Sequence, residues 1–251
     1  NGFWLLHSST EAMGCQNVPK GSLATTAWLT LMRELAGTAS SFLASTPTFA
    51  IRQYEVAQEM GLDLRELEIP LLLLAGEPGA TVPATKKYLE NAWGAKAVDY
   101  FGSTENGIMG FTCSDQIAEE QPSDHLFIDS HIFELLDPDT LKPVEAGQPG
   151  ALCVTSLTKF GMPCIRYLLG DQVYIDEETR CGCGRTLPLI RGGVQGRADD
   201  MIIVKGENIY PSMIEECVRS LPGLSVEFLI RKRMTSATVQ VEVLPDVSES
   251  D

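Results

Sequence analysis

Five short runs carry residue types suited to chemistry. In DYFGSTENG (99–107), the hydroxyls of Ser103 and Thr104 precede Glu105, whose hard carboxylate oxygens suit Mg2+. Phe101 supplies a ring able to stack on a planar base, and glycine lets backbone approach a ligand closely. AGEPG (75–79) is a second glycine-rich turn. RYLLGD holds Arg166 and Asp171, and a carboxylate beside a nucleotide commonly accepts ribose hydroxyls. GRADD adds the guanidinium fork of Arg197 and the paired Asp199 and Asp200. Finally, CGCG places Cys181 and Cys183 in a C-x-C loop, with Cys113 and His125 upstream; four such sulfur and nitrogen donors are a tetrahedral zinc set. His131, one strand period from His125 by parity, is a weaker alternative ligand. Taken singly, the first two runs also fit plain strand-to-helix turns, the acids fit turns and solvated loops, and the cysteines fit reduced thiols.

The elements that must position these runs follow from periodicity. LEIPLLLLAGEPG is a continuous apolar run closed by a turn, the pattern of a strand buried in a parallel sheet. The spacing predicts helices over GSLATTAWLTLMRELAG, over the residues from Pro47 to near Gly61, and over TVPATKKYLENAWG with Thr81 as cap. AKAVDYF is the next strand, so AGEPG and DYFGSTENG fall at carboxyl ends of strands, where open α/β sheets bind ligands. Strand–helix alternation argues a parallel sheet to about Gly110. From His125 to Ile175 the chain alternates and turns as antiparallel β structure, with DPDT a turn signal and CGCGRTLPLIRG a loop. Beyond it, KGENIYPSMIEE reads as a turn and a helix opened by Ser212 with Glu215 three residues on, near a capping box. Two antiparallel strands follow, turning at Thr235–Ser236. The fold class is therefore α/β: a parallel subdomain plus an antiparallel β region (1–196), then the start of a small α+β domain (197–251), with the boundary near Gly196–Asp200.

Composition narrows the partners. The chain has 251 residues, 44% hydrophobic, enough for one large or two small domains. With 34 acidic against 19 basic residues the formal charge is −15, which argues against general nucleic-acid binding. No apolar run reaches the ~18–20 residues of a membrane span. Seven cysteines, an odd and sparse set, fit a reducing cytoplasm better than a disulfide scaffold.

AGEPG, DYFGSTE, IRYLLGD and GRADDMIIVKGENIYPSMIEE occur in an order, and with TSLTKFGMPCIRY between them, that resembles the adenylate-forming acyl-CoA synthetases, above all the phenylacetate–CoA ligase family. The resemblance covers nearly the whole chain. It implies ATP-dependent activation of a carboxylic acid, aryl or arylacetic, as an acyl-adenylate, then transfer to CoA with release of AMP. Transfer to a carrier-protein thiol or an amine, and a non-catalytic nucleotide-binding module, are the alternatives. By motif, Gly76, Glu77 and Pro78 line the adenine side, Asp99, Tyr100, Phe101, Gly102 and Ser103 form the nucleotide loop, and Phe101 stands where the family usually has tyrosine. Thr104, Glu105 and Arg197 are the catalytic set, with Glu105 on Mg2+; Asp171 holds the ribose; Asp199 is the hinge; Gly206 lies on the CoA path. The resemblance implies a structural zinc near Cys113, His125, Cys181 and Cys183 in some members, and a homodimer. HSSTEAMGCQNVPKG is a poor match to the family's phosphate loop, and its late lysine is missing. The chain is therefore expected to be a piece of a longer protein, unable to complete adenylation alone.

Overall fold

Four consecutive leucines make the middle strand of the three parallel ones. The computed structural model describes residues 2–145, 147–178, 180–204, 207–233 and 236–244. Its first half comprises α1 (Gly2–Ala12), α2 (Thr25–Leu35), β1 (Leu43–Ser45), α3 (Pro47–Glu59), a 3-10 turn at Leu64–Leu67, β2 (Leu71–Leu74), α4 (Pro83–Trp93), β3 (Lys96–Ser103), β4 (Gly107–Thr112), α5 (Ser114–Ile117) and β5 (Asp124–Leu126). Then come β6 (His131–Leu136), β7 (Gly150–Ser156), β8 (Tyr167–Val173), β9 (Ile175–Asp176), β10 (Leu189–Ile190) and β11 (Gly196–Arg197). The last part holds β12 (Ile202–Val204), β13 (Glu207–Ile209), α6 (Pro211–Ser220), β14 (Leu224–Arg233) and β15 (Ser236–Val243).

A seven-stranded sheet runs β1-β2-β3-β4-β5-β10-β9. Only β1, β2 and β3 are parallel, because helices α3 and α4 carry the chain back between them. β4 returns directly from β3 as an antiparallel hairpin, so the parallel region ends at Ser103 rather than near Gly110. Leu29, Ile51, Leu72, Leu74, Leu89 and Trp93 fill the layer between this sheet and its helices, and the Trp28 and Trp93 indole N–H groups donate to Gln53 Oε1 (3.1 Å) and Ala50 O (3.3 Å). The second sheet, β11-β8-β7-β6, is antiparallel. It encloses a second core with the antiparallel part of the first: Phe101, Met109 and Leu126 meet Leu152, Val154 and Val173. The DPDT turn closes as expected, with Asp137 Oδ1 accepting the N–H of Thr140 at 2.7 Å.

Two expected caps are different in fact. Val82, not Thr81, is the N-cap of α4, and it contributes no side-chain bond. Thr81 is instead buried, and a Cβ at Gly193 would fall 2.5 Å from its Cβ. Tyr210 is the N-cap of α6, with Pro211 in the first turn. Ser212 donates to Gln195 O, and Glu215 accepts from Thr85 on α4, so both residues of the expected capping box serve longer-range contacts. The β14–β15 turn joins Arg233 to its partner Ser236; Thr235 lies outside the described residues. Among the described residues no helix is long and apolar enough to cross a membrane.

Candidate nucleotide and metal sites

Leu74, the last residue of β2, is the register partner of Asp99, and β3 runs on to Ser103 before it turns, so both loops follow the carboxyl ends of neighbouring parallel strands. In the first loop Gly76 has φ +94°, a conformation that favours glycine. The Glu77 carboxylate reaches the start of α3, accepting the N–H of Thr48 at 2.8 Å and its hydroxyl. There it satisfies an orphan donor and meets the positive end of the helix. A Cβ at Gly79 would overlap the Pro47 ring, so close contact with the same helix start requires glycine there.

The second loop is the tip of the β3–β4 hairpin, not a strand-to-helix turn. Ser103 pairs with Gly107, leaving Thr104, Glu105 and Asn106 as the loop, and Gly107 takes φ +83°. Asn106 N–H donates to Ser103 Oγ at 3.0 Å. Thr104 is exposed and Glu105 half-buried, and neither side chain has a hydrogen-bond or ion-pair partner among the described residues. Gly102 fits because any Cβ would lie 2.5 Å from Gly107 O.

Upstream of the tip, β3 departs from expectation. Phe101 packs in the second core and is 7% exposed, so its ring serves packing rather than an open stacking face. Asp99 is enclosed as well: its N–H donates to Thr112 Oγ1 (3.0 Å), which in turn donates to Asp124 Oδ1 (2.9 Å). Burial, and then the neighbouring Asp124, push the Asp99 carboxyl well above its ordinary range, and it lies inside as one of a buried acid pair. Tyr100 is half-buried, and burial pushes its hydroxyl up to about 12.

A third cluster forms where β8 meets β11. Arg197 is the register partner of Asp171, and its Nη1 lies 3.6 Å from Asp171 Oδ1. The same guanidinium grips Asp199 through Nε (3.0 Å) and Nη2 (3.2 Å). Burial raises Asp171 to about 6 against the opposing pull of Arg197, whereas the hydrogen bond from Arg197 holds Asp199 low. Arg166 lies apart, paired with Glu134 at 3.0 Å. Gly206 lies outside the described residues.

The four expected metal donors converge. Cys113, His125, Cys181 and Cys183 place one ligand atom each within 4.8 Å of one another. Cys113 Sγ and Cys181 Sγ are 3.5 Å apart, and Cys183 Sγ is 3.4 Å from His125 Nε2. A tetrahedral zinc with Zn–S of ~2.3 Å and Zn–N of ~2.0 Å has edges of roughly 3.5–3.8 Å, so the set fits zinc. The β4–β5 pairing supplies the first two ligands and the loop before β10 the others. Backbone N–H of Arg185 lowers the Cys183 thiol to about 7, favouring the thiolate a metal needs. His131 is not part of the set: its ring nitrogens meet Asn106 O (3.0 Å) and Ser130 Oγ (2.9 Å).

The last helix is tied to the first half by polar groups that sequence reasoning missed. Glu215 accepts from Thr85 Oγ1 at 2.6 Å and pairs with Arg219, whose Nη1 also takes Thr85 Oγ1 at 2.8 Å. Glu216 Oε2 accepts the N–H of Ala84 at 2.7 Å.

No protein-family model matches the chain. Among curated proteins it is similar to a phenylacetate–coenzyme A ligase of Thermus thermophilus, 31% identical over 244 residues, 97% of this chain and 53% of the relative. Among solved structures it resembles a 2-hydroxyisobutyryl-CoA ligase in the postadenylation state with 2-HIB-AMP, with TM-score 0.87 and 29% identity over 97% of this chain and 52% of that one. The same ligase in the thioesterification state with 2-HIB-AMP and CoA matches at TM-score 0.71 and 29% identity, over 96% and 50% of the two chains. The chain thus spans about half the length of the curated relatives it matches.

Proposed function

We propose that this homologue of the phenylacetate–CoA ligases takes part in ATP-dependent activation of a carboxylic acid and its transfer to CoA. The observation that carries the reading is the pair of loops at the carboxyl ends of neighbouring strands, after Leu74 of β2 and after Ser103 of β3, the second bearing Thr104 and Glu105 side chains that have no partner among the described residues. In the first step a carboxylate oxygen attacks the α-phosphorus of ATP and pyrophosphate leaves. In the second, the CoA thiolate attacks the acyl carbonyl and AMP leaves. AMP is a far better leaving group than hydroxide, so the protein's task is positioning and charge neutralisation.

In this reading Asp171 accepts the ribose hydroxyls, and Arg197, already beside it, turns its fork to the nucleotide phosphate. The Thr104 hydroxyl donates to a phosphate oxygen. Glu105 would hold Mg2+, which when bound neutralises phosphate charge; its half-buried carboxylate, without a partner among the described residues, suits that hard cation. Base recognition falls to Gly76–Pro78 and not to Phe101, which the core occupies. Asp199 is the hinge between a unit of residues 1–196 and one of 197–251, and Gly206 lies on the CoA path. An aryl or arylacetic acid is the proposed substrate class, from the similarity to phenylacetate–CoA ligases. The better match to the postadenylation state supports placing the final segment in that arrangement. Cys113, His125, Cys181 and Cys183 would hold a zinc with no open position, which would brace β4, β5 and the 181–183 loop.

Calorimetry with a non-hydrolysable phenylacetyl-adenylate mimic tests the reading on this chain. Binding that Asp171→Ala weakens at least tenfold is expected. Absence of binding, or equal binding by the variant, refutes it. In the intact protein, AMP release should require both an arylacetic acid and CoA.

A further inference from the structure

The hairpin tip at Thr104–Asn106 is pinned from the second sheet. Its three residues lie between the ladder pair Ser103 and Gly107, so their carbonyls have no strand partner. Each is met by a side chain instead. Lys159 Nζ donates to Thr104 O (3.2 Å) and to Glu105 O (2.9 Å); Cys164 Sγ approaches Glu105 O at 3.7 Å; His131 Nε2 lies 3.0 Å from Asn106 O. With Nε2–H donating to that carbonyl, His131 Nδ1 is left to accept from Ser130 Oγ.

Lys159 is the charged member of this set. It comes from the β7–β8 connection and forms no ion pair among the described residues, so its ammonium is committed to the two carbonyls. Its stem lies along the hairpin: a Cβ at Gly107 would fall 3.4 Å from Lys159 Cε. Charge-assisted bonds to two consecutive carbonyls fix the peptide planes on either side of Glu105. The backbone is thereby held while the Thr104 and Glu105 side chains have no partner among the described residues, the arrangement a preorganised site needs.

We infer that Lys159 is a positioning residue: it sets the Thr104–Glu105 peptide so that both side chains address the phosphates and the metal of a bound nucleotide. The inference rests on the nucleotide reading above. It predicts a split between ligands, since AMP without metal depends on the adenine loop and Asp171, whereas MgATP also depends on Thr104 and Glu105.

The test compares the parental chain with Lys159→Met, which keeps the stem and removes the donors. MgATP affinity should fall at least tenfold and AMP affinity stay within about twofold. Amide hydrogen exchange at 104–107 should rise at least tenfold while β2 and β7 keep their protection. Lys159→Arg, which retains a charged donor, should hold loop protection within about threefold and guards against a misfolded first variant. Equal weakening of both ligands, no weakening of MgATP, or unchanged loop exchange would overturn the inference. Should the parental chain bind neither nucleotide, the functional reading fails, and the exchange measurement still decides whether Lys159 pins the loop.

Discussion

Glu216, on α6, caps a helix from the first half of the chain, its carboxylate accepting the N–H of Ala84, 132 residues before it, at 2.7 Å. Helix α4 has no side-chain cap of its own, since Val82 precedes it. Its first turn is completed only while α6 is docked. Glu216→Ala should therefore destabilise the chain by about 1 kcal/mol, the usual worth of a cap. That corresponds to a fall in Tm of roughly 2–4 °C for a domain of this size. Glu215→Ala should cost more, about 3 kcal/mol, because Arg219 is left buried without its partner. Thermal melts of the two variants check both values, and a smaller loss for Glu215→Ala than for Glu216→Ala would contradict the assignment.

Asp171 makes stability depend on pH. Burial raises its carboxyl from the ordinary 3.8 to about 6 in the folded chain. A raised folded pKa means the folded state holds the proton more tightly, so this contribution is complete below pH ~4 and is lost as pH rises through ~6. Two units correspond to about 3 kcal/mol at most, and partial exposure reduces it to about 2. Asp171→Asn removes the titration. The stability difference, variant minus parent, should rise by that amount between pH 4 and pH 7. A difference independent of pH would show that the buried carboxyl is not raised.

Much of this site was readable from residue order because its parts are local. A glycine-rich turn after LLLL, and Ser-Thr-Glu after a strand, place their groups wherever the strands end, and the strand ends follow from the apolar runs. The four metal donors were also readable, since a Cys-x-Cys loop with Cys113 and His125 upstream makes a four-donor set, although strand parity left His131 open beside them. What was not readable depended on which face of β3 meets the second sheet. Alternation leaves Asp99 and Phe101 on one face, but only the packing of Leu152, Val154 and Leu169 from β7 and β8 makes Phe101 interior, and only the pairing of β4 with β5 sets Asp124 beside Asp99. The caps failed for a related reason. Ser212 and Glu215 are spaced as a capping box, yet Gln195 O and Thr85 on α4, 17 and 130 residues away, take them instead.

Gly79 is predicted to be intolerant of any side chain. A Cβ there would overlap the Pro47 ring at the start of α3, and a ring cannot swing away as a flexible side chain can. Gly79→Ala should cost about 2 kcal/mol, within the usual range for overpacking. It should also disturb the Glu77–Thr48 bond, so nucleotide affinity should fall with stability. Urea denaturation measures the first and calorimetry with AMP the second; a variant as stable as the parent would mean that α3 can shift.

Zinc removal should loosen one definable region. With the metal gone, Cys113 and Cys181 remain 3.5 Å apart in a buried setting, where burial pushes the Cys113 thiol up to about 11 and disfavours the thiolate. The neutral thiols offer no comparable bracing between Thr112–Cys113, Asp124–His125 and the 181–183 loop. Purified chain should contain about one equivalent of zinc by elemental analysis, in keeping with four S/N donors. A strong chelator or Cys181→Ser should lower Tm by at least 5 °C and raise hydrogen exchange in β5 and β10 before α2 and α3, whose core lies elsewhere. Less than a tenth of an equivalent of zinc, together with no response to the chelator, would leave the cluster as packed thiols and a histidine.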